Sequence, residues 1–400
     1  MRRVCKLLEY HMQDDPSWCV LGLVMLRQPP SSMFGPSSTT DSGLEYVTEY
    51  VAHQLAHSTP AAILSSFGVN INSPPTETVE LARIVLERVH SLQDDEMPRA
   101  LVCAAREGRE DDALQLLRAG AAWDAIDERG HSAGAYALRD GHKELLQALL
   151  DAGSSCVLRE AERIGRLGTD ATLVGTHADF MQQQLHFDDD KGRLLDGEGR
   201  PVMMDWEQPL MEAHAHALLA AADGTETVLN IGYGLGLVDT ALQARRPASH
   251  TIIEAHPDVL ARMRGEGWMA RPGVRVLEGT WQQVLPKLCD DDAPPFDAVF
   301  FDTFAEGADE LFRLHALLPR LLRHGGRFSY FNGLASHDEF LHRVYCAAVQ
   351  RHLAGLGLRS SFDPIPVGDR AHAPATWEGA EAGRNWWHLA TYLLPVCIRE

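Results

Sequence analysis

The sequence predicts an α/β chain: a doubly wound, mostly parallel sheet with a helical region in front of it. Three features of its 400 residues carry that expectation. From about Cys156 onward, β-rich runs alternate with helical segments, the pattern of a parallel sheet whose ligands gather at the carboxyl ends of its strands. The first of those runs, Thr227 to Ile231, empties into Gly232-Tyr233-Gly234-Leu235-Gly236. Upstream, GREDDALQLLRAG (Gly108 to Gly120) recurs as GHKELLQALLDAG (Gly141 to Gly153), 33 residues further on.

In chain order, residues 1–96 are the least legible. Pro29 to Ser42, rich in Pro, Ser, Gly and Thr, reads as a linker, and helical periodicity runs through Leu44 to His57 and Glu77 to Leu92. No function attaches to this part. Residues 97–156 hold the repeat. Its 33-residue period is the ankyrin length, and each copy offers a first helix (ALVCAAREG, then AGAYALRDG), a second helix and an Ala-Gly exit. Two such units bury little alone and must lean on a neighbour, so the pair is either a protein-docking face or a packing scaffold. Residues 157–400 carry the sheet, with strands expected in TVLNIG, HTIIEA, VRVLEG, FDAVFFD, GRFSYFN and WWHLATYLLPV. The last is expected to run antiparallel at the sheet edge, after a Pro-rich bend at Asp363 to Pro366. Within 157–205, the run Phe187 to Val202 is polar and bears turn-forming glycines, which suits either a lid or an ordinary exposed loop.

The glycine spacing narrows the ligand. Glycines at alternate positions let the backbone turn sharply off a strand and approach a bound molecule, and the helix beyond offers free N–H groups. A dinucleotide fingerprint, G-x-G-x-x-G, requires a third glycine where this chain has Leu237. The observed G-x-G-x-G is more typical of S-adenosylmethionine (SAM) sites, with Gly232, Tyr233, Gly234, Leu235, Gly236 and Leu237 forming the cofactor loop. Glu254 ends the second strand, where a carboxylate can hold both ribose hydroxyls. In EGTWQQ, just after the third strand, Trp281 is placed to cover the adenine face and Gln282 to serve its edge, with core packing as the alternative for Trp281.

The net charge of −20 argues against generic affinity for nucleic acid or anionic membranes, and suits a basic partner or simply a solubilising surface. Seven cysteines, odd in number and without a C-x-x-C pair, indicate neither a disulfide framework nor a zinc site. A reducing compartment is expected, the cytoplasm first and the nucleus second. No run approaches the length of a membrane span. The apolar stretch Ser17 to Leu26 is preceded by Glu9, Asp14 and Asp15 and closed by Arg27, which argues against a signal or transit peptide. No metal is expected: His214 and His216 are two apart and face different sides of a helix, and the Glu212–His216 spacing is usual on solvated faces.

Several motifs in order, RPVMMDWEQPLM, EGTWQQ, FFDTF and HGGRFSYFNG, resemble guanidinoacetate N-methyltransferase, whose runs read like V-M-x-x-W-E-x-P-x-M, G-x-W-E, Y-D-T-Y and P-G-G-x-x-x-Y-x-N. The repeat pair and the Asp-Trp-Glu form of the first motif are closer to a sister family, the type IV protein arginine N5-methyltransferases. The resemblance covers about Phe180 to the C-terminus. It implies a class I SAM-dependent methyltransferase fold, SAM as cofactor, and methylation of the δ nitrogen of an arginine in a basic protein, a ribosomal large-subunit protein being one target. It also implies Glu207 and Asp302 as the acidic residues that bind the guanidino group, with Phe180 and Met211 as cofactor contacts. The physics agrees with that pairing. A guanidinium is planar, charged at physiological pH and a poor nucleophile while protonated, so one carboxylate must orient it and another must help remove a proton. Asp302 also ends the fourth strand, facing the cofactor crevice, whereas Met211 reads equally as a helix core residue.

One departure is plain. Many SAM sites carry an acid two positions before the first glycine; here that position is Asn230, which accepts a hydrogen bond but brings no charge to the cofactor's amino group. Two other readings stay open. A small-molecule guanidino methyltransferase leaves the repeat without a use. An ankyrin adaptor with an inactive fold has Glu207, Asp302, Glu254 and the three glycines against it.

Overall fold

The computed structural model describes residues 97–167, 179–221, 223–290, 294–304, 306–380 and 385–400. The linker expected at 29–42 and the helices expected at 44–57 and 77–92 lie outside the described residues. The chain divides into two compact units at Leu149/Leu150.

In the first unit a helix through 97–106 is followed by the helix Glu110–Arg118, a turn closed by an Ile126–Ser132 bridge, and the helix Ala133–Asp140. Ser132 caps that last helix by accepting the Ala135 N–H, and Gly141 ends it in the left-handed region at φ +79°. The carboxylate of Glu110 accepts the Leu145 N–H at 3.1 Å, tying the first helix pair to the second. Gly120, at φ +92°, makes the first Ala-Gly exit just beyond Arg118. The second expected exit is absent: Ala152 and Gly153 lie inside an unbroken helix, Lys143–Leu167. Val157, Leu158 and Ala161 extend its apolar stripe and pack on the sheet core, which outweighs the roughly 1 kcal/mol that a glycine costs inside a helix.

The second unit holds two sheets. Strands β1 (His186–Asp188), β2 (Arg193–Leu195) and β3 (Pro201–Met204) form a small antiparallel one. Strands β4 (Thr227–Ile231), β5 (Ser249–Glu254), β6 (Val274–Glu278), β7 (Phe296–Phe301), β8 (Leu322–Tyr330), β9 (Leu358–Pro366) and β10 (Thr391–Arg399) form the large one, in the order β6-β5-β4-β7-β8-β10-β9. The first five are parallel, joined by the helices Leu237–Ala244, Pro257–Gly265, Trp281–Asp290 and Ala308–His315, and β10 is antiparallel to both neighbours. This is the class I SAM-dependent methyltransferase plan. Residues along β4 and β7 alternate between two helical layers: Leu229, Ile231, Val299 and Phe301 enter one apolar core, and Val228, Ala298 and Phe300 the other.

The strand order reverses between β4 and β7, and ligands of open α/β sheets bind outside the carboxyl ends at such a switch point. The register there is level, since Ile231 pairs with Ile253 on one side and Phe301 on the other. The next residue of each strand end, Gly232, Glu254 and Asp302, therefore emerges beside the others.

Two expectations are corrected. The strand read in WWHLATYLLPV begins only at Thr391, and it is not the edge. The edge is β9, which contains the supposed bend, with Pro364 opposite Leu393 and Pro366 opposite Thr391. Proline lacks the N–H of an inner strand and is tolerated on an edge. Trp386 and Trp387 instead join Trp206 and Trp377 in an aromatic cluster. The run Phe187–Val202, read as polar, builds most of the small sheet and buries Leu194 and Leu195. Among the described residues no helix is long and apolar enough to cross a membrane.

Candidate active site

The loop after β4 is built from glycine by necessity. Gly232 has φ +94°, and a Cβ there would stand 1.8 Å from the Asp302 carbonyl oxygen. Gly234 has φ +56° and would bring a Cβ to 2.9 Å from the Met203 sulfur; Gly236, at φ +70°, starts the helix Leu237–Ala244. No L-residue with a side chain fits the first two positions without displacing a neighbour. Leu235 N–H rests 3.2 Å from Met203 Sδ, so the small sheet holds the loop from outside.

Glu254 latches the loop from below. One carboxylate oxygen accepts the Tyr233 N–H at 2.9 Å; the other accepts the N–H groups of Ala255 and His256, each at 2.7 Å. Burial raises its pKa, and the three backbone donors oppose that rise. With acceptor capacity left on its two oxygens, Glu254 can still receive hydroxyl donors from a ribose.

These residues border a cleft of about 650 Å³, measured to its open mouth. Its walls include Phe180, Gly232, Gly234, Glu254, Trp281 and Asp302, with Met203, Phe304 and Glu306. The mix of apolar walls and a few fixed polar groups suits a nucleoside. Phe180 and Phe304 meet with ring centroids 4.9 Å apart, offering aromatic faces to a sulfonium cation. Trp281 is nearly buried, and its indole N–H donates to both oxygens of Glu306 at 3.0 Å. Close backbone approach at Gly232, a ribose carboxylate and an aromatic wall together fit SAM.

Asp302 follows β7. Its N–H donates to the Ile231 carbonyl at 2.9 Å, which pins its backbone to the mouth of β4. Its Oδ2 is buried without a partner. Burial first, and the charge of Asp239 second, push its pKa up to about 7. Glu207 ends the 3-10 turn Asp205–Glu207 and folds back so that its Oε1 accepts the Met204 N–H at 3.0 Å. It is buried, and burial together with the nearby Asp302 charge holds its pKa well above the carboxylate range. Two desolvated carboxylates lie close enough for one charge to oppose the other, an arrangement that a bound cation relieves.

Not every residue read from the sequence reaches the cleft. Met211 is fully buried in the core between helix and sheet. Tyr233 contributes its backbone; its ring packs edge-on against Trp268 and its hydroxyl donates to Glu266 at 3.0 Å. Gln282 is exposed and donates to Glu306 at 2.8 Å rather than lining the cleft, and Leu235 and Leu237 pack against the core beside the loop. Glu306, Phe304 and Met203 were missed. Glu306 gathers the donors of Trp281, Gln282 and Thr303. The signal for it was the acid four residues beyond Asp302 in DTFAE. His214 is no metal ligand: its Nδ1 meets the Ser329 hydroxyl at 2.7 Å and its Nε2 the Tyr392 hydroxyl at 2.8 Å, and burial lowers its pKa to about 3.

A guanidinoacetate N-methyltransferase family model matches residues 175–353, the stretch that holds the cleft. Protein arginine N-methyltransferase 2 of Cryptococcus neoformans var. neoformans is 34% identical over 331 residues, covering 76% of this chain and 86% of the relative. The chain belongs to the protein arginine N-methyltransferase 2 family. The Yarrowia lipolytica member is 38% identical over 233 residues, covering 56% of this chain and 48% of that longer relative. Among solved structures, the O-methyltransferase TomG of Streptomyces achromogenes in complex with SAM aligns at 16% identity with a TM-score of 0.34, covering 48% of this chain and 79% of that one. Membership of this family makes the chain a methyltransferase with SAM as its cofactor.

Proposed function

We propose that the chain methylates the δ nitrogen of an arginine side chain in a basic protein. The observation that carries this reading is a pair of buried carboxylates whose charges oppose each other: Asp302, with one oxygen lacking a partner, and Glu207, with a single backbone donor. A guanidinium is the side chain whose charge and planar donors answer two such acids, and the names of the relatives point to the same group. When bound, SAM supplies an electrophilic methyl on a sulfonium and departs as the thioether. Glu207 orients the guanidinium. Asp302, at the strand end facing the cleft, accepts the proton that the methylated nitrogen gives up. With a pKa of about 7 before substrate arrives, it is part-ionised near neutrality and able to take that role.

The helical unit gives the reading its protein substrate. Its 33-residue period, paired helices and bridged turn support an ankyrin-type module that docks the target, for which a ribosomal large-subunit protein is the proposed class. Removing residues 1–149 is expected to raise KM for the protein substrate while leaving SAM affinity intact, with thermal melting to confirm that the remainder folds. The deciding experiment is labelled methyl transfer into a cell extract followed by fragmentation mass spectrometry. δ-Methylarginine is expected; methyl groups only on the terminal nitrogens overturn the δ assignment, and labelled free guanidino metabolites in place of protein overturn the substrate class.

A further inference from the structure

We propose that Asp239 supplies, from beneath the glycine loop, the negative charge that holds the α-ammonium group of SAM, replacing the acid missing at position 230. The proposal rests on SAM being the cofactor. Asn230 is fully buried in β4, and its amide nitrogen donates twice at 2.8 Å, to the Gly232 carbonyl and to Asp239 Oδ1. Its own Oδ1 has no partner. Asp239 stands in the first turn of the helix that leaves the loop and is also fully buried. Its Oδ2, too, has no partner. Two acceptor oxygens next to the glycine loop are thus left without a partner.

The contacts of Asp239 are incomplete. His250 Nε2 lies 3.1 Å from Asp239 Oδ1, but off the line of a good hydrogen bond. The amide nitrogen of Gln243 faces the other ring nitrogen of His250 at 3.0 Å. The helix N-terminus favours an acid in its first turn. A buried carboxylate oxygen without a donor is costly, and a fold retains one where a ligand completes it. The field of Asp239 reaches the cleft, since it helps to raise Asp302. Asp239 is absent from the cleft wall, so it is a positioning residue that acts through Asn230 and the Gly232 carbonyl.

The test is calorimetry on the full-length protein with two ligands that share an adenosine thioether. S-adenosylhomocysteine carries the amino-acid tail; 5′-methylthioadenosine does not. Asp239→Asn is expected to weaken S-adenosylhomocysteine about tenfold or more and to change methylthioadenosine by less than threefold, the selective loss of a charge-assisted contact. Moving the carboxylate, as Asn230→Asp with Asp239→Asn, is expected to restore S-adenosylhomocysteine to within threefold of the wild type. The proposal is overturned if Asp239→Asn leaves both ligands unchanged, weakens both alike, or is not rescued by the double substitution. Should Asp239→Asn fail to fold, the double variant decides alone: a wild-type ratio of the two affinities supports the proposal, and a collapsed ratio overturns it. Failure of either ligand to bind the wild-type protein is a different result and removes the cofactor reading itself.

Discussion

The cofactor loop and the Asp302–Glu207 pair treat buried acid in opposite ways, with Glu254 and Asp302 on the cleft wall and Glu207 not among its lining. At the cofactor end, Glu254 has three backbone N–H donors on its two oxygens. At the reacting end, Asp302 keeps one oxygen with no partner, and Glu207 has a single backbone donor. The first arrangement is complete before any ligand arrives, so it fixes a loop. The second leaves Asp302 Oδ2 without a partner, a deficit that the proposed guanidinium would make good. Under the proposed roles, substitutions at the two places should fail differently.

The largest expected effect is at Asp302. Asp302→Asn keeps the shape and removes the proton acceptor, and general-base contributions run to about 10²–10⁴-fold. A fall in kcat of about 10³-fold is expected, with SAM affinity within threefold of the wild type by calorimetry. Near-normal turnover would sink the base assignment, and with it the claim that the reacting end works by unmet charge.

Glu207→Gln comes next. The proposed role of Glu207 is to orient the guanidinium rather than to react, so a loss of about 10²-fold in kcat/KM is expected, carried more by KM than by kcat. Orientation matters because the δ nitrogen is internal, and a looser guanidinium presents its terminal nitrogens first. Mass spectrometry of the residual product should show terminal-nitrogen methylation rising. A residual product that is wholly δ-methylated, made at the wild-type KM, would remove Glu207 from substrate recognition.

Glu254→Gln tests the completed end. It should leave kcat at saturating SAM within a few-fold and weaken SAM by about 1.5–3 kcal/mol, the worth of a hydrogen bond to a charged group. Calorimetry reads this directly. Unchanged affinity would mean that the carboxylate serves the loop alone.

The contrast also explains what was legible in the sequence. The cofactor end is local. Alternating glycines, the strand before them and the acid closing the next strand are each short-range signals, and each landed where the pattern placed it. The reacting end is assembled from afar. Glu207 precedes a helix, Asp302 follows β7, and only the resemblance to a guanidino methyltransferase joined them. Met211, Gln282 and Tyr233 show the limit of carrying motif positions over: neighbours of a functional residue on a helix or loop point elsewhere, into the core, to solvent or against Trp268. Glu306 went unread because an acid in a loop has no periodicity, and only the folded chain brings it to the Trp281 indole. The sheet edge was misread for a similar reason. Proline suggests a bend in any isolated stretch, and nothing in LRSSFDPIP says that it will lie outermost.

The smallest expected effect is the pH dependence of stability, and its sign is the same at both ends. The Asp302 carboxyl titrates near 7 in the folded chain, above its ordinary value of 3.8. Between those values the folded state holds a proton that the unfolded chain has released. The associated stability is fully present below about pH 4 and is lost as pH rises through 7. Glu207 and Glu254, also raised by burial, add in the same direction. The unliganded protein should therefore melt a few degrees lower at pH 8 than at pH 5, a difference on the order of a few kcal/mol at most. Activity should move the opposite way, with kcat/KM climbing toward pH 7 as Asp302 ionises. Asp302→Asn should flatten the stability slope, whereas Glu254→Gln should keep the part that Asp302 contributes. If differential scanning calorimetry finds the same slope in the wild type and in Asp302→Asn, the buried acid responsible lies elsewhere, and the reacting end is not the strained half of the cleft.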